Sequence, residues 1–194
     1  ITLSGQNSVR VLLIAAGARA TLVALSLRHG IAPAGAFASG GGGGGIFNAG
    51  ILELRRCTVS DNDVAGSASQ LTAAGGIANQ GGTLTLVQST IANNSGDNPL
   101  GGGVYSNSGG GIWVNGGTVS LVHCTLSGNN PQALCLFGTL TVENSILAGN
   151  TGGDFFAGNT YTRTGANFIG SVTGNAGTGP AALTGNPRLA PLAR

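Results

Sequence analysis

The chain has 194 residues, room for one domain, and 41% of them are apolar, enough to supply a core. Only 7% are charged, every base other than histidine is an arginine, and a formal charge of +2 excludes a nucleic-acid surface built on electrostatics. With 37 glycines, six prolines and no G-X-Y period the chain is not collagen-like, and no uninterrupted apolar run reaches the roughly 18 residues of a membrane-spanning helix.

In chain order, residues 1–30 hold two short alternating runs, Val9, Val11, Leu13 and then Leu22, Leu25, Leu27, which read as strands. The opening ITLSG matches CTLSG at residues 124–128, so the chain reads as an excerpt of a longer or processed protein, with any export signal upstream. His29 falls in a turn column later filled by Asp61, Asn93, Gly128 and Gly149, and is expected to be solvated. Residues 31–45 run into a glycine cluster that lacks the lysine of a phosphate-binding loop. Glycine pairs or triplets recur at 75–76, 101–103 and 109–111, each before Ile or Val, which marks them as architectural.

Residues 75–94, GGIANQGGTLTLVQSTIANN, are the unit that repeats. Aligned on Ser89 there are six copies, anchored at Ile1, Leu25, Cys57, Ser89, Cys124 and Ser145. Spacings of this order with variable insertions point to a solenoid, and alternation with period two makes its elements strands. The expected inward columns are Ile46/Ile77/Ile112/Leu134, Leu52/Leu84/Val119/Leu140, Leu54/Leu86/Leu121/Val142, Cys57/Ser89/Cys124/Ser145 and Val59/Ile91/Leu126/Leu147. Cys57, Cys124 and Cys135 are expected to be small core fillers, since no CxxC or Cys/His spacing suggests a metal site.

Asn62, Asn94, Asn129 and Asn150 share one exit column, with Gln6 at the matching place in the first copy. A repeated asparagine suits a turn and can bond its amide to the next turn, so these residues are expected to form a structural ladder. The insertions at 63–74, 95–103 and 101–113 are the likeliest place for any ligand, because insertions in repeat proteins gather on one face. Asp61, Asp63 and Asp97 are there the candidate cation loop, which would take calcium. Tyr105 and Trp113 are the candidate stacking groups for a carbohydrate or a partner, the alternative being that Trp113 covers an outer face.

From Thr151 the repeat dissolves, so residues 1–150 are expected to be coils and 151–194 an irregular cap of the same domain, with Phe155, Phe156, Phe168 and Ile169 shielding the last edge. The units GGGGIFNAG, LTLVQSTIANN and LTVENSILAGN resemble the repeats of pectin-lyase-like right-handed β-helices, of the polymorphic outer-membrane-protein type. Residues 144–154 (NSILAGNTGGD), 165–170 (GANFIG) and 186–193 (NPRLAPLA) are similar to the end segment of bacterial choice-of-anchor Q proteins. Asn186 stands where that family usually has Asp, and its following NGG tail is absent. The resemblance implies an all-β, right-handed parallel β-helix of about six coils, export, and a secreted or cell-surface role without an established activity.

The wider β-helix class includes pectate lyases, whose chemistry needs converging carboxylates or a calcium site with a nearby base. Here Glu53 and Glu143 fall in different columns, and only Asp61 and Asp63, with Asp97, can gather. Outward threonines (Thr58, Thr90, Thr125; Thr85, Thr141) are interrupted by Ser26, Ile146, Glu53 and Ser120, which weakens an ice-binding reading. The expectation is a non-enzymatic structural or adhesive segment that self-associates or continues into neighbouring coils. The rival is a carbohydrate-active or carbohydrate-binding module facing a cell-surface polysaccharide.

Overall fold

A computed structural model describes residues 1–32, 42–64, 74–96 and 109–189. Those residues contain no helix, and every strand pairing among them is parallel. Parallel strands cannot be joined by tight hairpins, so each return to a row needs a long connection. The chain meets this by visiting three rows in turn and adding one strand to each per circuit.

The first row runs Leu12–Ile14, Ile46–Asn48, Ile77–Gln80, then the start of Ile112–Val122 and of Leu134–Glu143, then Phe155–Ala157 and Val172–Gly174. The second runs Arg19–Val23, Ile51–Arg55, Thr83–Val87, the later halves of the same two long strands, and Thr162–Thr164. The third is a separate seven-stranded sheet from Thr2–Ser4 to Phe168–Ile169. The first two rows count as one sheet because the two long strands bend across both. The bend in the first of them falls at a register shift between Asn115 and Thr118, where Gly116 and Gly117 both take positive φ. A side chain at Gly117 would collide with the backbone of Gly82, so glycine is required there.

The pairing register puts the expected columns in line. Ile77 lies between Ile46 and Ile112, Leu86 between Leu54 and Leu121, and Ile91 between Val59 and Leu126. All nine are fully buried, and the columns merge into one apolar core. Alternate residues face out, as at Thr83, Thr85 and Val87 in the strand whose Leu84 and Leu86 face in. Burial of such rows contributes about 25 cal/mol per Å² of apolar area, and each circuit obtains it only from its neighbours.

Backbone pairing does not stop where the repeat fades in the sequence. Past residue 150 the pairing goes on: Phe155–Ala157, Thr162–Thr164 and Phe168–Ile169 extend all three rows in register, and Val172–Gly174 with bridges at Thr178 and Leu183 begins another circuit. The third row therefore has seven strands, one more than the copies visible in the sequence. The signature fades because unlike residues fill the inward places. Tyr161 and Arg163 follow Leu140 and Val142, so the like-on-like pattern ends while the backbone ladder persists. Arg163 is held there by Tyr161, whose ring centroid lies 5.5 Å from the guanidinium, and by the Gly177 carbonyl at 3.1 Å.

Candidate functional site

The exit column is a continuous chain of side-chain amides. Asn62 Nδ2 donates to Asn94 Oδ1 (2.9 Å), Asn94 to Asn129 (3.0 Å) and Asn129 to Asn150 (3.0 Å). Each oxygen also accepts the backbone N–H of the preceding asparagine, at 3.2, 3.1 and 2.9 Å in turn. The second proton of each amide goes to a carbonyl one circuit back, Leu27, Val59, Ile91 and Leu126. Every amide thus points one way, and all its hydrogen-bonding groups are satisfied without water. The turn ahead of each asparagine takes positive φ, at Asp61, Asn93, Gly128 and Gly149, which orients the following side chain into the stack.

The ladder's ends differ from the expectation. Gln6, in the first copy, is exposed; the place one circuit on is held by Gly30, which donates its N–H to Asn62 Oδ1 at 2.8 Å. Glycine suffices there because the column needs only a backbone donor at its start. At the other end, Asn150 Nδ2 donates to Asp154 Oδ1 at 2.9 Å, and Ser171 Oγ donates to Asp154 Oδ2 at 3.1 Å. Asp154 is nearly buried, so a carboxylate terminates the row of aligned amide dipoles. Its position four residues after Asn150, not one repeat later, hid this role.

A second polar column lies at the bend between rows two and three. Ser89 Oγ accepts the Cys57 N–H (3.1 Å) and donates to the Val87 carbonyl (3.0 Å); Ser145 does the same for Cys124 N–H and the Glu143 carbonyl. The thiols of Cys57 and Cys124 point at bend carbonyls in the same way. Asn167 continues the column, its Oδ1 accepting the Ser145 N–H at 3.0 Å. All three cysteines are free and buried, and burial pushes the Cys135 thiol up to about 12 and raises that of Cys124. Buried Asn48 and Asn79 form a further amide pair at 2.7 Å, missed in sequence because only two copies carry it.

The candidate ligand loops fare differently. Asp61 pairs with Arg28 at 3.4 Å and accepts the Ser60 hydroxyl at 3.0 Å, while Asp63 Oδ1 accepts the Val64 N–H at 2.7 Å. Asp97 and Tyr105 lie outside the described residues. Among the described residues no three His, Cys, Asp or Glu side chains are placed to hold a metal. Trp113 is only 3% exposed. It stands on the outer side of row one between Ala78 and Cys135 and packs in a satellite cluster with Ala74, Phe47, Phe137 and Phe156. Like-facing apolar residues on three neighbouring strands bury one another, which a single-copy tryptophan does not reveal in sequence. No family model, curated protein sequence or solved structure matches the chain.

Proposed function

We propose that the three-row stack is a right-handed parallel β-helix and that the chain is a non-enzymatic structural or adhesive segment of an exported bacterial surface protein. Handedness rests on the strong preference of parallel strand connections for right-handed crossovers. The observation that carries the functional reading is the fate of the polar groups. Asn62, Asn94, Asn129, Asn150, Asp154, Ser89, Ser145 and Asn167 are consumed in hydrogen bonds between circuits. Glu53 is paired with Arg55 at 2.6 Å and Asp61 with Arg28, so the carboxylates with charged partners act on the scaffold. Such a body transmits length and stiffness and offers its surface passively.

Export and surface placement are supported by the likeness of residues 144–154, 165–170 and 186–193 to the choice-of-anchor Q end segment. The test is a screen of bacterial and plant polysaccharides for binding and for release of reducing or unsaturated ends. The expected result is no release. Release abolished by Asp61→Ala or Asp63→Ala would overturn the structural reading in favour of a carbohydrate-active module.

A further inference from the structure

We propose that the outer face of the second row binds ice, its hydroxyls serving as a template for lattice water. The pairing register places Thr83 beside Thr118 and Thr118 beside Thr139. Two residues on, it places Thr85 beside Ser120, Ser120 beside Thr141 and Thr141 beside Thr162. Thr160 is exposed two residues before Thr162, with buried Tyr161 between them. Four successive circuits therefore carry a pair of hydroxyls on the same two outward columns, although the circuits differ in length. The inward residue between each pair changes from Leu84 to Val119, Leu140 and Tyr161, so core packing does not dictate what faces out. Ser120, which interrupts the threonine column in the sequence, keeps its hydroxyl, and Glu53 falls one circuit outside the net.

Parallel strands lie about 4.8 Å apart and outward residues recur about every 6.6 Å along each strand, so the hydroxyls form a rectangular net. Oxygen atoms on the prism face of hexagonal ice repeat on a net of similar dimensions. Threonine suits such a face because its branched side chain is stiff and sets one methyl and one hydroxyl at each node. Strand preference alone would admit valine, as at Val87 and Val122 in the next column. Among the described residues the hydroxyls of Thr85, Ser120, Thr139 and Thr141 have no partner within the protein, and those of Thr83 and Thr118 share one long bond of 3.4 Å. They are left to hold water, which fixed hydroxyls order at small cost. The net carries no charge, which would keep a hydration shell of its own; Glu53 lies a circuit before it and Glu143 borders it in the next column. Its aromatic neighbour Tyr161 points into the core, so no ring is offered to a sugar, which favours ice over a crystalline polysaccharide.

The test is inhibition of ice recrystallisation by the 194-residue chain, together with its adsorption, labelled at the N-terminal amine, to a single ice crystal. Thr83→Lys and Thr139→Lys each put a charge at an exposed node of the net, on different strands. Leu13→Lys, exposed on the outer side of the first row, controls for added charge, and circular dichroism verifies the fold of all three. The wild type and Leu13→Lys should inhibit recrystallisation and coat the crystal. Each node variant should need about tenfold or more protein for the same inhibition. A wild type without effect on ice, or node variants as active as the wild type, would overturn the proposal. So would capture by microcrystalline cellulose or chitin in place of ice.

Discussion

Replacing Asn94 with alanine removes the middle rung of the amide ladder. The Asn62 N–H and one Nδ2 proton of Asn62 lose their acceptor, and the Val59 carbonyl and Asn129 Oδ1 each lose one bond, Asn129 Oδ1 keeping the N–H of residue 94. Asn94 is 1% exposed and Asn129 fully buried, so water reaches the vacated site only by opening the stack. An orphaned buried polar group costs about 1–3 kcal/mol, which for the two orphaned Asn62 donors gives a loss of about 2 kcal/mol or more. A domain of this size has about 5–15 kcal/mol in total, so the variant should lose a substantial share of its stability. Asn93→Gly is the matched control. Asn93 is exposed at φ 55, where glycine relieves left-handed strain, so that change should be neutral or stabilising by up to about 1 kcal/mol. Urea unfolding followed by circular dichroism measures both. A loss below about 1 kcal/mol for Asn94→Ala would refute the claim that the ladder holds successive circuits together.

Three other perturbations probe separate parts of the stack. Leu86→Asp, a charge in the fully buried column, should leave no soluble folded protein, whereas Thr85→Asp on the outer side should be tolerated, as read by soluble yield and thermal midpoint. Gly128→Ala should destabilise by about 1–2 kcal/mol, because φ is +66 and the new methyl would meet Asn93 Oδ1; Gln88→Gly, relieving φ 51 at the other bend, should stabilise by about 0.5–1 kcal/mol, both by urea titration. Stability should fall as pH rises from 9.0 toward about 12, since the unfolded chain's Cys135 thiol loses its proton first while the folded thiol keeps it. That group alone contributes about 1.4 kcal/mol per pH unit, and Cys135→Ala should remove this share of the slope in alkaline urea titrations.

The sequence by itself determined the architecture's repeat. Equal residues at equal places, Leu54/Leu86/Leu121 inward and Asn62/Asn94/Asn129 at the exit, follow from a packing rule that is the same in every circuit, so periodicity exposes them. The Glu53–Arg55 pair is local in the same sense, two outward positions on one strand. Only the tertiary structure decided what depends on a place without depending on a residue type. Tyr161 and Arg163 occupy inward places in the later circuits because parallel backbone pairing ignores side-chain identity. Asp154 closes the ladder because a four-residue turn returns its carboxylate to the column, and Trp113 is buried because Ala78 and Cys135 flank it on adjacent strands. Hydrogen bonds across circuits and mutual burial on an outer face join residues far apart in the chain, and no pattern along one strand records them.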